Sequence, residues 1–135
     1  MNLTTQKSSP QHPASGDTWD FFDRIYCISV AGRTDRQGEA LEQFDRVGLS
    51  EWVEFVLVPK DPADPEKGIF DSHQKCLRRG LDAGAETILI FEDDIIFERF
   101  SEGVLRNAVA FMKAEPDWDI LFMGCLVKGI QKTPY

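Results

Sequence analysis

Two short runs, RIYCISV at residues 24–30 and TILIF at 87–91, are apolar or β-branched almost throughout. A strand that buries one face alternates apolar and polar residues, so runs without alternation point to strands covered on both faces. Covering both faces of a sheet takes helices on each side, and that goes with parallel strands.

The intervening segments fit. Ala40, Leu41, Phe44 and Val47 recur at helical spacing, and Gly48 is placed to end that helix. Glu54 to Val58 is a second strand, stopped by Pro59. Lys60 to Gly68, with Pro62 and Pro65 among charges, is expected to be a loop. Asp71 or Ser72 then caps a second helix, whose inner face is Cys76, Leu77, Gly80 and Leu81 and whose end is Gly84. Ser101 opens a third helix with Val104, Leu105, Ala108, Val109 and Met112 on its apolar face. Pro116 ends it, and Asp119 to Met123, DILFM, is a fourth strand. Strand and helix alternate, which predicts an α/β fold with a mostly parallel sheet covered by helices. Residues 1–18, polar and rich in Ser, Pro, Gln and Thr, form an expected disordered tail, and 19–135 the domain. Doubly wound domains usually have five or six strands, so four predict an incomplete one.

Net charge is −8, from 23 acidic and 15 basic side chains, which argues against a general nucleic-acid binder. No apolar run approaches membrane-spanning length. The first residues lack the basic-then-apolar pattern of a secretory signal. Cys27, Cys76 and Cys125 have neither zinc spacing nor a disulfide pattern, and are expected to be reduced core thiols in a cytoplasmic setting.

Three clusters can carry chemistry. Glu92, Asp93 and Asp94 follow the apolar run without a break. Carboxylates are rarely buried unless paired or metal-bound, and ligands of open α/β sheets sit beyond the C-terminal strand ends. In an extended chain Glu92 and Asp94 point to one side and Asp93 to the other. The i, i+2 pair can clamp magnesium or manganese, which take hard oxygen ligands and share phosphate oxygens. The bland alternative is a solvated acidic turn or a helix cap. Arg33, Asp35 and Arg36 follow the first strand, on the same sheet edge. Arginine there can pair with a phosphate or a base edge, or the three form a surface ion-pair cluster. Ser72 and His73 are expected in the first turn of the second helix, where the imidazole can bind a phosphate oxygen or position an acidic partner. A structural, hydrogen-bonded histidine is the alternative. No GxGxxG, GxxxxGK[ST] or HExxH motif is present.

Taken together, four segments in order resemble the glycosyltransferase 25 family, which includes bacterial lipooligosaccharide galactosyltransferases and collagen galactosyltransferase domains. They are IYCISVAGRTDR (25–36), GIFDSHQKCLRRGLDAG (68–84), ILIFEDDIIF (88–97) and DILFMG (119–124). Ser29 and Val30 stand where the family usually has Asn and Leu, and Phe70 and Asp71 where it has Gly and Cys before the Ser-His pair. The resemblance implies a Rossmann-like, GT-A type fold, here its N-terminal donor-binding half. It implies metal-dependent transfer of a hexose, galactose above all, from a UDP-sugar to a glycan hydroxyl in lipooligosaccharide synthesis. Carried over by position, Asp94 and Glu92 hold Mn2+ or Mg2+, with Glu92 also near the ribose. Arg33, Asp35, Arg36, Ser72, His73 and Asp93 line the donor site. The general base is expected in the family's further length. Partners implied are the nucleotide-sugar and a glycan acceptor, with peripheral membrane association through a lipid-linked acceptor. The other expectation is a truncated, inactive α/β module that binds nucleotide-sugar or a protein partner only.

Overall fold

The computed structural model describes residues 16–60 and 62–124. Three parallel strands, β1 (Arg24–Val30), β2 (Val53–Val58) and β3 (Ile88–Glu92), form a sheet of order β2-β1-β3. Ile25 faces Val53 on one side and Leu89 on the other, and this register continues to the strand ends. Three helices cover it: α1 (Thr34–Arg46), α2 (Pro65–Asp82) and α3 (Glu102–Ala114). The expected parallel, helix-covered α/β architecture is what forms.

The two-sided burial expected of β1 follows from the pleat, since successive side chains leave opposite faces. On one face Ile25, Cys27, Leu89 and Phe91 pack with Ala40 and Phe44 of α1 and Leu105, Val109 and Met112 of α3. Phe44 is fully buried, its ring 5.3 Å from Phe91 and 6.2 Å from Phe97. On the other face Tyr26 and Val56, with Ile28, Ile88 and Ile90, pack with Cys76 of α2. Gly80 brings α2 close: a Cβ there would overlap Ile88 Cδ1 and stand 2.8 Å from its Cγ1.

The chain enters through a 3-10 turn, Trp19–Phe21. Asp23 ties the starts of β1 and β3 together, its Oδ2 accepting from the N–H groups of Glu86 (2.9 Å) and Thr87 (3.0 Å). Burial works to raise its pKa, but these hydrogen bonds outweigh it and hold the carboxyl below its usual value. Residues 1–15 of the expected tail, and Cys125, lie outside the described residues. Gly16 N–H and Thr18 N–H donate to Asp20, and Lys113 pairs with Asp17 at 2.8 Å.

Two local expectations are corrected. The second helix begins at Pro65, inside the expected loop, because Asp64 is its cap and accepts from Lys67 N–H. Proline suits that first position, where its missing N–H has no partner to lose. Ser72 is therefore interior to the helix, and Leu77 and Leu81 lie on its exposed side. The fourth strand does not form. Residues 119–124 have no ladder partner among the described residues, and Ile120 and Phe122 are 71% and 74% exposed. Ser101 does cap α3, accepting from Val104 N–H at 3.2 Å. Gly48 and Gly84 take the positive φ values, 74° and 77°, that end α1 and α2.

Candidate functional site at the β1/β3 edge

With order β2-β1-β3, the chain leaves β1 toward one side of the sheet and returns on the other through β3. Ligands of open α/β sheets bind where connections diverge in this way, beyond the strand C-termini. Ser29, Arg36, Glu92, Asp93 and Asp94 all belong to the strand ends, or the segments just after them, at this point.

The three carboxylates part company as strand alternation requires. Glu92 follows the parity of Ile88 and Ile90 toward α2, where its Oε1 lies 3.1 Å from His73 Nε2. Asp93 follows Leu89 and Phe91 toward α1. Its N–H extends the ladder to Ile28 O at 3.1 Å, and its Oδ2 accepts from Ser29 Oγ at 2.7 Å. Arg36 Nη1 stands 3.5 Å from its Oδ1. The chain then turns, with Ile95 N–H donating to Glu92 O at 3.1 Å. Asp94 lies on that turn, exposed and without a side-chain partner among the described residues.

The expected cluster of Arg33, Asp35 and Arg36 is divided. Arg33 forks onto Asp35, Nε to Oδ1 at 2.9 Å and Nη2 to Oδ2 at 2.7 Å. That hydrogen-bonded pair holds the Asp35 carboxyl far below its usual value and pushes Arg33 up. Only Arg36 turns to the acidic edge.

Ser72 and His73 also separate. Ser72 is buried, its hydroxyl donating to Gly68 O at 2.6 Å within its own helix. His73 is not in the first turn as expected, since α2 starts earlier. It meets the end of β3 from mid-helix, so residues 65–71 run past the strand ends and bury nothing in the core. Ile69 and Phe70 stay exposed on that projection.

Ser29 is the residue that site reasoning from sequence passed over. Its signal is a polar position inside β1, on the Ile25–Cys27 face, where a buried hydroxyl needs a partner. Cys27 and Cys76 are buried, which pushes their thiols up to about 12 and about 11 and leaves them neutral. An open depression on the outer flank of α2 is lined by Asp71, Lys75, Arg78 and Asp82, none of them among the residues at this edge.

The donor set suits a hard cation in kind: Glu92 and Asp94 both offer carboxylate oxygens. Among the described residues no three His, Cys, Asp or Glu side chains are grouped to hold a metal. No helix among the described residues is long and apolar enough to cross a membrane.

No family profile matches the chain, and no solved structure matches it. Curated proteins do. It is 26% identical to the human "Inactive glycosyltransferase 25 family member 3", over 76% of this chain and 22% of that protein. It is 26% identical to a "Glycosyltransferase 25 family member" of Anopheles gambiae, over 74% of this chain and 21% of that one. With "Procollagen galactosyltransferase 1" of Danio rerio it shares 26% over 76% of this chain and 21% of that one. The chain spans about a fifth of the length of these relatives. The proteins it is similar to over about three quarters of its length are thus glycosyltransferase 25 family members.

Proposed function

We propose that the β1/β3 edge is the nucleotide-diphospho-sugar site of a glycosyltransferase, and that it works with a divalent ion, Mn2+ or Mg2+, transferring a hexose, galactose above all. The observation that carries this is the exposed Asp94 carboxylate two residues beyond Glu92, at the sheet's switch point, with Arg36 on the same edge.

Asp94, with Glu92, would hold the ion. When bound, it would neutralise charge on the departing diphosphate. His73 fixes Glu92 from the α2 side, so that carboxylate is aimed before a ligand arrives. Arg36 offers guanidinium N–H groups to a phosphate oxygen. The projecting turns of α2 wall one side of the edge. Arg33 and Asp35, already neutralised by each other, are assigned to the rim. The acceptor would be a glycan or related hydroxyl, with lipooligosaccharide and procollagen sugars as the two candidates to assay.

A second reading, binding without transfer, is favoured by the human relative's name, which calls that protein inactive.

Titration calorimetry tests the site. UDP-galactose with manganese is expected to bind the wild type and to bind Asp94→Ala at least tenfold more weakly, the loss of one charged ligand interaction. No binding, or equal binding by both, would sink the donor-site reading. Sugar transfer to either acceptor separates the first reading from the second.

A further inference from the structure

Glu92, Asp93 and Asp94 are adjacent in sequence, yet only Asp93 is drawn into the protein. Its side chain is 11% exposed, against 50% for Glu92. A carboxylate at that depth needs polar partners. Here they are the Ser29 hydroxyl at 2.7 Å and the Arg36 guanidinium at 3.5 Å. Ser29 is itself 2% exposed, on the central strand, with the rigid sheet behind it. Arg36 is 44% exposed, so its guanidinium stays accessible to solvent beside Asp93.

We propose that Asp93 is a positioning residue and not a ligand of metal or nucleotide. Ser29 fixes the Asp93 carboxylate, and Asp93 in turn holds Arg36 across the β1/β3 junction so that its outer N–H groups face an incoming phosphate. The chain Ser29–Asp93–Arg36 thus links the central strand to an anion-recognition group on the first turn of α1. It also assigns different work to three neighbouring carboxylates: Glu92 and Asp94 outward, Asp93 inward. Serine suits this role because it is short: the hydroxyl reaches the carboxylate without displacing the packed side chains around it. The anion end of the proposal rests on the donor-site reading; the positioning end does not.

Two measurements separate them. The first needs no ligand. Nitrogen-15 relaxation at Arg36 Nε is expected to show an ordered side chain in the wild type and a markedly mobile one in Asp93→Asn, with backbone amide spectra otherwise alike. Equal mobility in both would overturn the positioning role. The second is a double-mutant cycle read as UDP affinity in the presence of manganese. Asp93→Asn and Arg36→Gln are each expected to weaken binding about tenfold, as for a charge-assisted hydrogen bond, and the double variant no further than Arg36→Gln alone. Additive losses, or an Asp93→Asn variant that loses affinity for manganese alone, would make Asp93 a direct ligand and overturn the proposal. A wild type that binds no UDP with manganese would overturn the donor-site reading and the anion role of Arg36, leaving the positioning claim to the relaxation result. Ser29→Ala, which leaves both charges in place but removes the hydroxyl that fixes the Asp93 carboxylate, is expected to loosen Arg36 in the same direction and carries both comparisons if Asp93→Asn does not fold.

Discussion

His73 Nε2 lies 3.1 Å from Glu92 Oε1, joining the middle of α2 to the last residue of β3. The pair crosses from a covering helix to the strand end at which the candidate site opens. Both side chains are partly exposed, at 38% and 50%, so the contact orients more than it stabilises.

That distinction can be measured. His73→Ala is expected to change unfolding free energy by no more than about 1 kcal/mol, as for a solvent-screened pair. Urea denaturation of wild type, His73→Ala, Glu92→Ala and the double variant gives the coupling directly. A coupling of several kcal/mol would mean that the pair holds the fold together.

Packing of α2 on β3 depends on the missing side chain at Gly80. Gly80→Ala gains helix propensity of about 1 kcal/mol, but its Cβ would run into the Ile88 side chain. Overpacking of this kind costs roughly 1–3 kcal/mol, so net destabilisation of up to about 2 kcal/mol is expected. Adding Ile88→Val removes the most severe overlap and should restore part of the loss, read as the urea midpoint.

The buried thiols predict an alkaline dependence. Cys27 and Cys76 start from an unfolded value of 9.0 and are pushed by burial up to about 12 and about 11. For Cys27, the neighbouring Asp93 charge adds to burial. Both groups are neutral when protonated, and the fold keeps them so. Below pH 9 their contribution is fully present; above it the unfolded chain releases protons that the folded chain retains. Stability then falls, by at most about 1.4 kcal/mol per pH unit per thiol, until the folded values are passed. Urea midpoints between neutrality and pH 10.5 should show the decline, and Cys27→Ala should flatten it. An unchanged slope in Cys27→Ala would contradict the assignment.

The fold was legible where one physical rule governed. Unalternating apolar runs meant two-sided burial, and β1, β2 and β3 formed with their helices between them. Local competition explains the misses. Asp64-Pro65 is a helix start hidden among turn-forming residues, and it moved His73 from the first turn to mid-helix. DILFM has strand-like composition, but a strand exists only with a ladder partner, and Asp119–Met123 has none among the described residues. At the site, the parity of Glu92 and Asp93 could be read from the sequence. The partners could not, because Ser29, Arg36 and His73 are brought there by register and helix placement. The Arg33–Asp35 fork is a further case: two arginines three residues apart look equivalent until local geometry pairs one of them away.

The claim that the β1/β3 edge is a metal-assisted nucleotide site is tested most directly by paramagnetic broadening. Substoichiometric manganese with UDP is added to nitrogen-15-labelled protein. The account predicts that amide signals of 92–95, and then of His73 and Arg36, broaden first, and that Asp94→Ala abolishes the effect. Broadening centred instead on the outer flank of α2, around Asp71 and Asp82, or surviving unchanged in Asp94→Ala, would contradict it.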